Sequence, residues 1–214
     1  NMRCKKENML LYAVTDRSWV GEQTLLAQVE SAIRGGVTCV QLREKDLGEK
    51  SFLEEAISMK RLCQDYDVPF IINDNVEIAI KCGADGVHVG QKDMEAGKVR
   101  ELVGEDMIIG VSAQSVKQAV LAEKAGADYL GVGAVFPTTT KLDAADVDFD
   151  TLKDICNAVT IPVVAIGGIN RDNMLKLSRT GVDGAALVSA IFSADDIESE
   201  CTFLRRLSQE MISK

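Results

Sequence analysis

Four phrases of one design punctuate the chain: Gly36-Val37-Thr38-Cys39-Val40, Gly83-Ala84-Asp85-Gly86-Val87, Gly126-Ala127-Asp128-Tyr129-Leu130 and Gly181-Val182-Asp183-Gly184-Ala185. In each, a glycine closes an amphipathic run and an apolar run opens a few residues later. Helices commonly end on a glycine because the position after the last turn adopts a left-handed backbone. The phrases lie 47, 43 and 55 residues apart. Each interval is long enough for two strand–helix units, so four phrases imply eight. Strands are expected at 11–15, 38–43, 69–73, 86–89, 107–112, 129–135, 162–166 and 184–190. These runs are continuously apolar, as strands covered by helices on the sheet face must be. Between them, sets such as Leu25, Val29, Ala32 and Ile33, or Val116, Val120, Leu121 and Ala125, recur at helical spacing. The pattern is α/β, and eight units in a chain of this length make a lean (β/α)8 TIM barrel. It reads as one domain over 1–214, with 1–9 as an N-terminal extension. An open doubly wound sheet is the runner-up. No G-x-G-x-x-G follows the first strand, and Gly131-Val132-Gly133 is only a fragment of that motif.

Composition narrows the partners. The 214 residues carry 33 acidic and 24 basic side chains, a formal charge of −9. Nucleic acid demands clustered cations, and so does a polybasic membrane-surface role; neither fits. A single histidine, His88, excludes His-rich zinc centres. Six cysteines (Cys4, Cys39, Cys63, Cys82, Cys156 and Cys201) form no C-x-x-C pair and suit free thiols in a reducing compartment. The apolar run 9–14 is too short for a signal peptide or a membrane span. Asn1 ahead of Met2 reads as an expression remnant, and the chain reads as soluble and cytoplasmic. A homo-oligomer is compatible with this composition.

In a TIM barrel, the loops after the C-terminal strand ends build the active site. Strand two ends in Gln41-Leu42-Arg43-Glu44-Lys45, where strand alternation would put Gln41, Arg43 and Lys45 on one face. Two cations and an amide converging there suit a phosphate or diphosphate. Strand three ends in Asn73-Asp74, and strand four leads into Asp93. Two neighbouring carboxylates can hold magnesium, with water and substrate oxygens completing the shell. Asp74-x-x-Glu77 also reads as a capping box. His88 reads as a hydrogen-bonded packing residue within its strand. Ser112 ends strand five without a nucleophile elbow, so a hydroxyl donor to phosphate fits it better than acyl transfer. Ser115 reads as a helix cap. The stretch from Pro137 to Asp148, holding Thr138, Thr140 and Lys141, is long enough to be a lid over an anionic ligand. Gly167-Gly168 would let a ligand approach the backbone closely, Asn170 would cap the next helix, and strand eight ends in Val188-Ser189. The backbone amides after strands seven and eight form a recurrent phosphate site of this fold. Two anion sites in one mouth imply two phosphorylated groups or one substrate phosphorylated at both ends.

Taken in order, the strand ends resemble those of the thiamine-phosphate synthase family over nearly the whole chain. The motifs are Thr15-Asp16, Gln41-Leu42-Arg43-Glu44-Lys45, Ile72-Asn73-Asp74, His88-Val89-Gly90-Gln91-x-Asp93, Gly110-Val111-Ser112-Ala113, Pro137-Thr138-x-Thr140-Lys141, Gly167-Gly168-Ile169 and Val188-Ser189-Ala190-Ile191. The resemblance implies a TIM-barrel transferase that joins hydroxymethylpyrimidine diphosphate to hydroxyethylthiazole phosphate with the help of Mg2+. It would place the metal on Asp74 and Asp93. The pyrimidine diphosphate would lie on Gln41, Arg43, Lys45, Asn73, Ser112 and Lys141, and the thiazole phosphate on Thr138, Thr140, Gly168, Val188 and Ser189. The implied mechanism is dissociative, with Arg43, Lys45, Ser112 and Lys141 as the catalytic set. A step of that kind needs electrostatic stabilisation of the leaving group more than acid–base machinery, which suits a chain with one histidine. Three departures from the family pattern stand out: Gln114 where many members have histidine, Asn75 where many have a charge, and an acidic 142–148 stretch without the customary glycine. The rival readings are a thiazole tautomerase, a phosphosugar isomerase or lyase, and an idle barrel that binds a thiamine precursor.

Overall fold

A computed structural model describes residues 4–91, 97–137 and 146–214. Its eight strands are β1 (Leu11–Val14), β2 (Cys39–Leu42), β3 (Phe70–Asn73), β4 (Gly86–Val89), β5 (Ile108–Ala113), β6 (Tyr129–Val132), β7 (Val163–Ile166) and β8 (Gly184–Leu187). All pair in parallel with their neighbours, and β1 pairs β8 to close the barrel. The eight expected strands all form, and the fold is a (β/α)8 TIM barrel. Around it run α1 (Leu25–Gly35), α2 (Glu49–Asp65), α3 (Val76–Cys82), α4 (Gly97–Val103), α5 (Val116–Lys124), α6 (Phe149–Ala158), the short α7 (Ser189–Phe192) and α8 (Ile197–Ile212).

Three expectations are corrected. The run 129–135 ends as a strand at Val132. The run 184–190 ends as a strand at Leu187, because Val188 turns away (ψ −84°) and opens α7. After β7 there is only a 3-10 turn, Met174–Leu177. Asn170 does accept from the amides of Asp172 and Asn173, but these bonds close the turn at 171–173; the N-cap of the 3-10 turn is Asn173, which makes no side-chain cap hydrogen bond.

The repeated phrases prove to be hydrogen-bonded clasps. Asp85 accepts from the Phe70 amide through its side chain (2.8 Å) and donates its own amide to the Phe70 carbonyl (2.9 Å). Asp128 does the same to Ile109 (2.8 and 2.7 Å), and Asp183 to Val163 (2.9 and 2.8 Å). Thr38 replaces the aspartate in the first phrase, taking the Leu11 amide on its hydroxyl (3.0 Å) and the Leu11 carbonyl on its own amide (2.8 Å). Each clasp ties the entry of an even strand to the start of the odd strand before it. The preceding glycines all have left-handed backbone: φ is 117° at Gly36, 66° at Gly83, 101° at Gly126 and 94° at Gly181.

Strand alternation divides the core. Leu11, Val40, Ile72, Val87, Ile109, Leu130 and Ala165 face outward to the helices, in one large apolar cluster. Tyr12, Val14, Cys39, Ile71, Ile108, Tyr129, Val164 and Ala186 fill the barrel interior. Cys4 and Met9, from the segment read as an extension, join that inner cluster and close the floor. The large interior rings fit because glycines stand opposite them: a Cβ on Gly110 would lie 2.1 Å from Tyr129 Cζ.

The clasps differ in what else they hold, and this orders their cost of loss. Asp128 also pairs with Arg100 at 2.6 Å, both side chains being 12% exposed. Asp183 faces Lys6 at 3.8 Å, and that lysine is largely solvated. Asp128→Ala should therefore lower the unfolding free energy by about 3–5 kcal/mol, the cost of stranding a buried charge. Asp183→Ala should cost roughly 1–2 kcal/mol, the price of an orphaned buried amide. Urea midpoints of the two variants check the order.

Candidate active site

One cavity of about 820 Å³ opens at the C-terminal ends of the strands. Of the residues expected to bind substrate or metal, Gln41, Arg43, Lys45, Asn73, Asp74, Ser112, Gly168, Val188 and Ser189 all line it. Thr138, Thr140, Lys141 and Asp93 lie outside the described residues, as does most of the expected lid.

Loop contacts, not strand alternation, set the cationic corner. β2 stops at Leu42, so Arg43 and Lys45 belong to the loop that follows. Thr15, at the end of β1, accepts from the Arg43 amide (3.0 Å) and holds that loop against its own. Arg17 grips both carboxylate oxygens of Glu44 and also pairs with Glu55 of α2. Glu44 is thus engaged by a guanidinium that it shares with Glu55, although it stands between Arg43 and Lys45 in sequence. No ion pair among the described residues uses Arg43 or Lys45, which leaves their charge for a ligand.

Beside them, Asn73 and Asp74 end β3. Asp74 has φ 63°, a left-handed backbone that costs a non-glycine residue of order 1 kcal/mol or more. The expected capping box fails here for a simple reason. Asn75 is the N-cap of α3, accepting from the Ile78 amide at 2.9 Å, so the cap sits one residue beyond Asp74. Asn75, a departure from the family pattern, thereby takes the capping role. Ser115 does cap α5, accepting from the Gln118 amide at 3.2 Å. Gln118 reaches back to the Gln114 amide at 2.8 Å, and both glutamines line the cavity.

Across the mouth, Gly167 and Gly168 have φ 103° and 64°. A Cβ on Gly167 would lie 2.5 Å from Ala134 Cβ, and one on Gly168 would lie 2.6 Å from the Pro137 carbonyl oxygen. The glycine pair therefore admits the loop after β6 as well as exposing backbone to the cavity. Asn173 donates to the Gly168 carbonyl (2.8 Å) and fixes the turn. Val188 has no side-chain cap over the first amides of α7.

The floor of the cavity holds residues that the motifs did not single out. Tyr12 and Tyr129, 2% and 1% exposed, join hydroxyls at 2.6 Å. Burial drives both phenol pKa values far above their usual range. His88 is hydrogen-bonded, as expected, but it also lines the cavity: Nδ1 lies 2.9 Å from the Tyr129 hydroxyl and Nε2 2.9 Å from Ser112 Oγ. The signal for the tyrosines was present in the sequence, since both fall on the inward phase of their strands. The cysteines lie away from the cavity lining, and burial pushes Cys4, Cys63, Cys156 and Cys201 up to about 12, so no thiolate nucleophile serves it. Among the described residues, no helix is long and apolar enough to cross a membrane.

Fold and cavity define a (β/α)8-barrel protein with a polar, cation-flanked mouth. A family model described as thiamine monophosphate synthase matches residues 11–191. The thiamine-phosphate synthase of Clostridium tetani is 48% identical over 200 residues, covering 94% of this chain and 96% of that protein. That of Ruminiclostridium cellulolyticum is 52% identical, covering 91% and 92%. A solved thiamine phosphate pyrophosphorylase from Pyrococcus furiosus superposes with a TM-score of 0.89 at 38% identity, over 97% of this chain and 98% of that one. The chain belongs to the thiamine-phosphate synthase family and is an enzyme of thiamine biosynthesis.

Within the Arg17–Glu44–Glu55 cluster, the Glu55 carboxyl is the group moved toward neutrality. Burial, then the neighbouring Glu44, pushes the Glu55 carboxyl up to about 7 from a usual 4.5, against the pull of Arg17. A carboxyl with a raised folded-state pKa favours the fold in its protonated form. Its contribution is complete below about pH 4.5 and is lost as pH rises through about 7. Thermal melts should show Glu55→Gln gaining stability relative to the parent as pH goes from 5 to 8, and a pH-independent offset would contradict the assignment.

Proposed function

We propose that the enzyme joins hydroxymethylpyrimidine diphosphate to hydroxyethylthiazole phosphate, forming thiamine phosphate and releasing pyrophosphate. The observation that carries this reading is that both expected anion sites open on one cavity. Arg43, Lys45, Asn73 and Ser112 stand on one side, and Gly168, Val188 and Ser189 on the other.

The diphosphate would lie against Arg43 and Lys45, with Lys141 reaching it from the loop after β6. In a dissociative step the bond between the pyrimidine methylene carbon and the diphosphate oxygen breaks, and its electron pair leaves with pyrophosphate. The thiazole nitrogen then supplies the pair for the new carbon–nitrogen bond. Preorganised cations aimed at the leaving oxygens stabilise charge as it develops, and fixed loops spare reorganisation at that moment. Thr15 and Glu44 serve that purpose by anchoring the loop that carries Arg43 and Lys45. Holding the thiazole phosphate on Thr138, Thr140 and the backbone at Gly168 and Val188-Ser189 would keep the nitrogen in line for attack.

The donors at the Asp74 corner suit magnesium. Asp74 offers carboxylate oxygens beside the Asn73 amide, and the described lining contains no thiol. Magnesium needs only one or two carboxylates, since water and phosphate oxygens complete its shell. Asp74 and Asp93 would hold Mg2+, which when bound offsets charge on the diphosphate. The reading places the work in the cytoplasm, where both precursors would be small soluble anions.

Incubation with both precursors and magnesium should yield thiamine phosphate and pyrophosphate, detected by chromatography. No product, with thiazole phosphate still bound, would replace the synthase reading with a binder or a tautomerase. Asp74→Asn keeps a residue that tolerates the left-handed backbone. It should lower turnover by about a hundredfold or more, the scale of a lost electrostatic stabiliser, while calorimetry finds thiazole-phosphate binding intact. Equal losses in both would remove the metal assignment.

A further inference from the structure

A continuous hydrogen-bonded chain crosses the barrel interior beneath the proposed diphosphate site. Gln41 Nε2 donates to the Tyr12 hydroxyl (2.7 Å), and the Tyr12 and Tyr129 hydroxyls lie 2.6 Å apart. The Tyr129 hydroxyl meets His88 Nδ1 and His88 Nε2 meets Ser112 Oγ, each at 2.9 Å. The five residues come from β2, β1, β6, β4 and β5, so the chain begins and ends on residues of the cavity wall. Gln41 and both tyrosines are buried. Glycines make space for two of the rings: a Cβ on Gly131 would lie 3.2 Å from His88 Cε1, and one on Gly110 would overlap Tyr129.

A hydroxyl has one proton, so the directions along such a chain depend on one another. With the Gln41 amide nitrogen donating at one end, Tyr12 gives its proton to Tyr129, and Tyr129 gives its own to His88 Nδ1. His88 then carries its proton on Nε2 and donates it to Ser112 Oγ. The Ser112 proton is thereby turned away from the ring and toward the cavity. In the reverse polarity, the Gln41 carbonyl oxygen would face Tyr12 and Ser112 would spend its proton on His88. Buried phenols that keep their protons hold either polarity as a unit, because each bond polarises the next.

We propose that Tyr12, Tyr129 and His88 form a one-directional relay that fixes the imidazole in its Nε2–H form and makes Ser112 a donor to the substrate's diphosphate. The three are positioning residues that act through Ser112. The acceptor of the Ser112 proton rests on the synthase reading; the direction of the relay does not.

The chain has one histidine, so full-length protein labelled with 15N-histidine gives a single ring spectrum. At neutral pH, Nε2 should resonate as a protonated, pyrrole-type nitrogen and Nδ1 as a bare, pyridine-type one. Tyr129→Phe removes the donor to Nδ1 and should shift the ring toward the Nδ1–H form. It should also lower kcat by roughly ten- to a hundredfold, the worth of a hydrogen bond to a charged group, with KM for the thiazole phosphate unchanged. An Nδ1–H or doubly protonated ring in the parent protein would overturn the proposal, and that measurement needs no variant to fold. So would a Tyr129→Phe enzyme with an unchanged ring spectrum. If the parent makes no thiamine phosphate, the synthase reading falls while the ring spectrum still decides the relay.

Discussion

The barrel depends on a reciprocal pair of hydrogen bonds made four times over. At each repeat, one short polar side chain takes the first or second amide of an odd strand and gives its own backbone amide to the same residue's carbonyl. Thr38, Asp85, Asp128 and Asp183 do this to Leu11, Phe70, Ile109 and Val163. A parallel strand that enters a barrel leaves its leading amide without a ladder partner, and a buried unpaired amide costs as much as a lost hydrogen bond. The clasps satisfy those amides and set register at the N-terminal end. They also explain why the repeat period is two units and not one, since one clasp serves each odd–even pair.

Fixing register at the floor has consequences at the mouth. Strand side chains alternate, so a slip of one residue would turn Gln41, His88 and Ser112 outward and bring Val40, Val87 and Val111 into the cavity. With register secured below, the C-terminal ends are free to carry residues that favour function over stability. Asp74 stands there in a left-handed conformation, and among the described residues Arg43 and Lys45 have no carboxylate partner. The large rings Tyr12 and Tyr129 occupy the boundary between the apolar floor and the polar mouth. They have apolar bodies for the first and hydroxyls for the second.

Much of this was legible because the barrel writes its period into the chain. The glycine–polar–strand phrase appears wherever a clasp forms, and continuous apolar runs mark the strands between. The cavity lining was legible at the strand ends: Gln41, Asn73, Ser112 and Val188 needed only the rule that the mouth lies there. What was missed depends on contacts far apart in sequence. The Tyr12–Tyr129 pair is 117 residues apart, and His88 meets its partners Ser112 and Tyr129 only when β4, β5 and β6 lie side by side. The cap at Asn75 in place of Asp74 was missed because the two residues have similar cap propensity, and backbone geometry decided between them. The helix expected after β7 gives way to the Met174–Leu177 3-10 turn, and length is not the reason, since the stretch between Asn75 and Gly83 is shorter and still forms α3.

A net charge of −9 is ill suited to the two anionic substrates proposed for this enzyme. Pairing leaves that sum unchanged and decides instead which charges face the mouth. Away from the mouth, several cations are matched to carboxylates, as Lys60 is to Asp85, Arg100 to Asp128 and Arg171 to Glu200. Those pairs are nearly neutral at a distance, so they neither attract nor repel a substrate beyond a Debye length. At the mouth the arrangement is inverted: Arg17 occupies Glu44, so the carboxylate nearest in sequence to Arg43 and Lys45 is engaged elsewhere. Arg17 thus acts on the site without lining it, by removing a competitor for the two cations. The local field that a diphosphate would meet is set by which charges are already paired, and the whole-chain sum does not report it.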